Sequence, residues 1–230
     1  MHRYKNILII GTSHIAQQSI NEVEDIITKE LPDVVALELD PARFHALLNK
    51  DKSKRIRLRD MRHIGVKGWA FARIGEYAER TLGERVGVTP GSEMVAAAAT
   101  AKKHNLSIAL IDQSLDVTLK RLSKGITWKE KFRFLGELIS APFSKKKVKF
   151  NLTQVPKQEM ISEMVGHVKK KYPNVYRVLV HERNIYMAKH LFTLMQHHEK
   201  IIAVVGAGHE KEMIEEIKKL ELSSSLLSHS

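Results

Sequence analysis

Not one of the 230 residues is cysteine. That absence excludes disulfides, thiolate metal sites and cysteine nucleophiles, so a bound metal has to be held by His, Asp, Glu or water. It also agrees with a reducing compartment. No apolar run approaches the ~20 residues of a membrane span. The opening MHRYKNILIIGTSH has too short an apolar run for a signal peptide and leads straight into strand-like sequence. A cytoplasmic or membrane-associated chain is expected. G-x-G-x-x-G, H-E-x-x-H and G-x-S-x-G are all missing, and GAGHEK lacks the lysine–serine/threonine ending of a phosphate-binding loop, which leaves nucleotide binding without support.

What is present is an ordinary globular balance of 43% hydrophobic and 28% charged residues. A single domain over residues 1–222 is expected, with residues 223–230 as a disordered tail. The net charge of +12 comes largely from clusters, KDKSKRIRLRDMRH at 50–63, SKKKVK at 144–149 and KKK at 169–171. No nucleic-acid-binding motif accompanies them, so solvated helix faces or contact with a membrane surface is the expected use of that charge.

Four short, almost continuously apolar segments read as buried strands: NILII (Asn6–Ile10), DVVALEL (Asp33–Leu39), SIALI (Ser107–Ile111) and IIAVV (Ile201–Val205). Helical patterns separate them. SINEVEDIITKEL offers Ser19 as an N-cap with Glu22 as its capping-box partner, Pro41 suits a first helical turn, and PGSEMVAAAATAKKHN carries Glu93 early and Lys102, Lys103 and His104 late, as the helix dipole favours. The order predicts an α/β fold with a mostly parallel central sheet flanked by helices and a helical insertion, about residues 116–200, before the last core strand. That insertion is expected either to cover a cleft or to build a homodimer interface.

Open parallel sheets bind ligands at the carboxyl ends of their strands. There the first strand runs into Gly11 with His14 beyond it, the second carries Glu38 and then Asp40, the third ends at Asp112, and the fourth runs into Gly206 with His209 beyond it. Two Gly-x-x-His turns and two or three carboxylates therefore share one edge. A carboxylate closing an apolar strand is costly to bury without a partner, which singles out Glu38. Asp112 either caps the following helix or binds an arginine. Glu93 caps its helix or points into a cleft. Glu182 and Arg183 are adjacent on one helix and so diverge by about 100°, which lets only one face the core. Arg183 or Arg43 then either holds Glu38 or binds a substrate carboxylate. Imidazoles with carboxylates form a first shell for a divalent transition metal, or do general acid–base work without one.

GTSHIAQQSINEVEDIITKELPDVVALELDPARFHAL, GSEMVAAAATAKKHNLSIALIDQSLDVTLKRL, HERNIYMA and VVGAGHEKEM together resemble the TraB/PrgY family over about Ile7 to Ile217. That family includes pheromone-shutdown proteins, is similar to the Tiki proteases, and shares a superfamily with erythromycin-esterase-like and ChaN-like proteins. The resemblance implies a metal-dependent hydrolase, peptide-cleaving in its Tiki-type members, with manganese or cobalt as cofactor and a peptide as substrate. It implies His14 and His209 as metal ligands, or one ligand and one base, with Glu38 as ligand or base. Glu93, Arg43 and the Glu182–Arg183 pair fall on further family positions. Arg43, Arg183 and Asp112 are then the substrate-binding candidates. Thr12 stands where the esterase-like relatives carry an acidic residue, so the resemblance does not extend to esterase chemistry. Pheromone-shutdown members continue into membrane helices beyond the point where this sequence stops. The rival reading is a protein that sequesters a peptide in the same cleft without cleaving it.

Overall fold

Continuous hydrophobicity requires a strand to be covered on both faces, and three of the four apolar runs are. In the computed structural model, which describes residues 1–12, 17–48, 91–130, 132–133 and 158–228, they form β2 (Ile7–Thr12), β3 (Val34–Leu37) and β5 (Ile201–Gly206). The fourth run, β4 (Ser107–Leu110), is partly exposed because it lies at the sheet edge. A further strand, β1 (His2–Tyr4), which the sequence pattern does not single out, pairs antiparallel with β2 at the other edge. The order is β1-β2-β5-β3-β4, and all contacts among β2 to β5 are parallel.

The strand period of two sends alternate side chains to opposite layers. Ile7, Ile9, Val34, Ala36, Ile201, Ala203 and Val205 pack against Met187, Ala188 and Leu191 of α7 (Glu182–Met195) and Met213 and Ile217 of α8 (Glu210–Ser228). On the other face Leu8, Ile10, Val35, Leu37, Ile202 and Val204 meet Val23 and Ile27 of α1 (Gln17–Glu30) and Met94, Ala97, Ala98 and Ala101 of α3 (Ser92–Lys103). Each fully buried Val, Leu, Ile or Met side chain among them contributes about 1.5–3 kcal/mol by leaving water. Between β3 and α3 lies α2 (Pro41–Leu48), whose first helical residue is the expected proline.

Two boundaries differ from the sequence pattern. Ser19, expected as an N-cap, is buried inside α1, which already runs from Gln17. The last helix continues through residues 223–228, set aside above as a tail, with Ser223 Oγ donating to the Lys219 carbonyl and Ser225 Oγ to that of Leu222, both at 2.9 Å. The lysine clusters at 50–63 and 144–149 lie outside the described residues. Among the described residues no helix is long and apolar enough to cross a membrane.

The described parts of the 116–200 stretch are helical: α4 (Leu115–Gly125), α5 (Gln158–Lys171), α6 (Pro173–Tyr176), a π-helical turn at Arg177–His181, and α7. Leu122 of α4 and Ile126, just past its end, pack on Val178 inside the π-turn. Buried Glu130 fastens α4's end to the start of α6. Its Oε1 accepts the Asn174 amide at 2.8 Å, and its Oε2 accepts Asn174 Nδ2, the Thr127 amide and Thr127 Oγ1 at 3.0 Å. Burial favours the neutral acid, but these donors outweigh it and hold the Glu130 carboxyl below its ordinary value. A lowered folded-state pKa stabilises the fold fully above the ordinary carboxylate range, and the benefit fades as pH falls through the lowered value. Glu130→Gln is therefore expected to cost about 1–3 kcal/mol at neutral pH. In chemical denaturation across a pH series, its gap to wild type should close on acidification; a pH-independent gap would contradict this role.

Candidate functional site

The neighbouring strands β2 and β5 run in register, with Gly11 opposite Val205 and Thr12 opposite Gly206. The two Gly-x-x-His motifs thus begin on adjacent strands, and the Ala207 amide reaches back to the Thr12 carbonyl at 3.0 Å. His14 lies outside the described residues. The absence of a side chain at Gly11 has a specific use: a Cβ there would stand 2.3 Å from Cδ of Glu210. The Glu210 carboxylate occupies that space instead, with Oε1 accepting the Gly11 amide at 2.8 Å.

Glu38 extends β3 by one residue, its amide donating to the Val204 carbonyl at 3.1 Å. Its side chain crosses the end of β5, where Oε2 accepts the Gly206 amide at 2.6 Å. Oε1 accepts Arg183 Nη2 at 2.5 Å and lies 3.4 Å from His209 Nε2. The other imidazole nitrogen, Nδ1, is 2.5 Å from Oδ1 of the fully buried Asn184.

Arg183 binds a second carboxylate at the same time. Its Nε and Nη2 meet the two oxygens of Asp112 at 3.0 and 2.7 Å, a planar fork matched to a carboxylate. Asp112 also accepts the Gln113 amide at 2.7 Å and Arg43 Nη2. Arg43 Nε reaches Asp40 Oδ2 at 2.7 Å, while Asp40 Oδ1 accepts the Ala42 and Arg43 amides at 2.9 and 3.1 Å and so caps α2. The chain of alternating charges runs Glu38–Arg183–Asp112–Arg43–Asp40, with all three carboxylates buried. Burial works against the Arg183 charge, but Glu38 and Asp112 more than offset it and hold the guanidinium ionised above its ordinary value.

The π-turn ends two residues before Arg183, and the Leu179 carbonyl within it accepts Arg183 Nη1 at 3.1 Å. Of the adjacent pair on this helix, Arg183 faces the strand ends. Glu182 turns away, pairing with Arg121 at 3.0 Å and Arg177 at 3.8 Å on the outside. Glu93 is buried in the first turn of α3, the helix that leads from the carboxyl edge back to the start of β4. The structure thus joins Glu38, Asp112, Arg43, Arg183 and His209 in one contact network. Asn184, Glu210 and Glu212 belong to the same edge and were not among the sequence-level candidates. Only the position of Glu210 and Glu212 directly after His209 could have drawn attention to them.

Ligands about 2.1 Å from one ion lie roughly 3.0–3.4 Å from each other in octahedral or tetrahedral shells. The 3.4 Å between His209 Nε2 and Glu38 Oε1 falls in that range, and imidazole with carboxylate suits a divalent transition metal. Among the described residues no group of three or more His, Asp or Glu converges closely enough to hold an ion. A complete shell on these two therefore requires a residue outside that set, as His14 would be.

The TraB/PrgY/gumN family model matches residues 2–218. An uncharacterized protein of Methanocaldococcus jannaschii is 36% identical over 221 residues, covering 94% of this chain and 54% of the relative. TraB domain-containing proteins of Homo sapiens and Bos taurus are 26% and 27% identical, each match covering 79% of the chain and 50% of the relative. The chain spans about half the length of the curated relatives it matches.

The charge chain makes unequal demands on its members. Removing Arg183 takes the guanidinium from the buried Glu38 carboxylate and leaves Asp112 with Arg43 alone, so Arg183→Met is expected to destabilise the fold by about 3–5 kcal/mol. Arg121→Ala removes only the outer partner of Glu182 and is expected to cost less than about 1 kcal/mol. Urea denaturation measures both; similar losses would contradict the assignment of Arg183 to the buried network.

Proposed function

The chain belongs to the TraB/PrgY/gumN family, and on that premise we propose that it is a metal-dependent hydrolase acting on peptides, in the manner of the Tiki metallopeptidases it resembles. The observation that carries the proposal is the approach of His209 Nε2 to Glu38 Oε1, 3.4 Å apart at the carboxyl ends of β5 and β3. His209 and Glu38, completed by His14, would hold a divalent ion, manganese or cobalt. When bound, such an ion supplies a water acidified toward neutral pH and a charge that polarises a peptide carbonyl.

The protein's own groups divide the remaining work. Gly206 and Arg183 fix both oxygens of Glu38 and hold it beside His209. Asp112 holds Arg183 in place, so this guanidinium acts first as an anchor. Arg43 is a third exposed, against 15% for Arg183, and is the cation better able to meet a substrate carboxylate or a developing oxyanion. Glu93, buried at the start of α3, is the second carboxyl available for proton transfer. The proposed superfamily also holds the erythromycin-esterase-like and ChaN-like proteins, and Thr12, where the esterase-like relatives carry an acidic residue, argues against esterase chemistry here.

A peptide-library digest with added manganese tests the proposal. Chelator-sensitive cleavage is expected, falling by about 10²–10⁴-fold in His14→Ala, His209→Ala and Glu38→Gln. Equal cleavage by wild type and all three variants would overturn it. Saturable, chelator-insensitive peptide binding without cleavage would establish the sequestering role instead.

A further inference from the structure

Behind His209, on the side away from Glu38, three side chains form a polar relay that the hydrolase reading does not use. Tyr176 donates its hydroxyl to Glu212 Oε1, and Glu212 Oε2 accepts Asn184 Nδ2 at 2.8 Å. Asn184 Oδ1 lies 2.5 Å from His209 Nδ1. Asn184 and Tyr176 are buried, at 0% and 5% exposure, so the amide is not free to exchange partners with water.

The directions of these bonds follow from donor chemistry. An ionised carboxylate only accepts, so Glu212 obliges Asn184 to present its NH₂ group. The amide oxygen is thereby turned to His209, and an amide oxygen also only accepts. The proton shared by that pair must then sit on His209 Nδ1. A ring with one proton, placed there, leaves Nε2 as a lone pair directed at Glu38. The supply of orientation thus starts two groups away from the imidazole, in a residue one turn along α8.

We propose that Glu212 and Asn184 are positioning residues that lock His209 as its Nδ1–H tautomer, making Nε2 the nitrogen offered to a metal ion or a proton at the site. The inference rests on the reading of His209 as a reacting group, but not on any activity. Tyr176 secures the far end: its hydroxyl is deprotonated less readily than ordinary tyrosine, first through burial and then through the Glu212 bond, and so remains a donor to that carboxylate.

The test is a long-range proton–nitrogen correlation spectrum of the metal-free protein carrying isotope-labelled histidine, at alkaline pH where the ring holds one proton. His209→Gln assigns the signals. In wild type the His209 proton is expected on Nδ1, with Nε2 at the unprotonated position. Asn184→Asp, which retains an accepting oxygen, should preserve that pattern. Asn184→Leu should move the proton to Nε2 or average the two tautomers, as should Glu212→Ala, which frees the amide to turn over. A wild-type proton on Nε2 would overturn the proposal, as would an unchanged spectrum in Glu212→Ala or Asn184→Leu. Should the leucine variant fail to fold, wild type and the other variants still decide. Absence of peptide cleavage with the Nδ1–H tautomer intact would count against the hydrolase reading alone.

Discussion

The buried carboxylate of Glu38 is the constraint on which the rest of the site depends. An ionised group at 5% exposure must be paired or it destabilises the fold by several kcal/mol. Glu38 meets that demand by joining three elements: its own strand β3, the end of β5 through the Gly206 amide, and α7 through Arg183. Arg183, once buried, needs its own compensation, which Asp112 at the end of β4 provides; Asp112 in turn draws in Arg43 and, through it, Asp40 at the start of α2. One charge placed at a strand end thus fixes the relative positions of two further strands and two helices.

The topology explains why the charge is where it is. Because β5 inserts between β2 and β3, the strand that carries Glu38 and the strand that leads to His14 both border the strand that leads to His209. Gly11 contributes by having no side chain, which leaves room for the Glu210 carboxylate and brings the start of α8 down onto β2. His209, between the end of β5 and α8, is then held laterally by Asn184 and faces Glu38.

Much of this was legible in the sequence, and the reasons differ by residue. The buried strands could be read because a strand covered on both faces has to be continuously apolar, and their shared carboxyl edge followed from parallel topology. Glu38 could be read because a carboxylate has no business at such a place without a partner. The divergence of Glu182 and Arg183 followed from helix geometry, but which of the two faces inward is a matter of how α7 packs on the strand ends, which a single helix does not reveal. Strand β1 is three polar or half-buried residues stabilised by its pairing with β2, so periodicity carries no trace of it. Asn184 and Glu212 are polar residues on helices α7 and α8. Their roles arise only where α7 and α8 pack together, a tertiary fact without a local signature.

The family relatives extend to about twice the matched length. The local question is sharper: whether a strand-end carboxylate and the histidine opposite it grip one ion. Anomalous diffraction from manganese-soaked crystals tests that grip most directly. A peak within coordinating distance of both His209 Nε2 and Glu38 Oε1, with His14 as a further ligand, is expected. A fully soaked crystal whose only manganese lies elsewhere, or none at all, would contradict it.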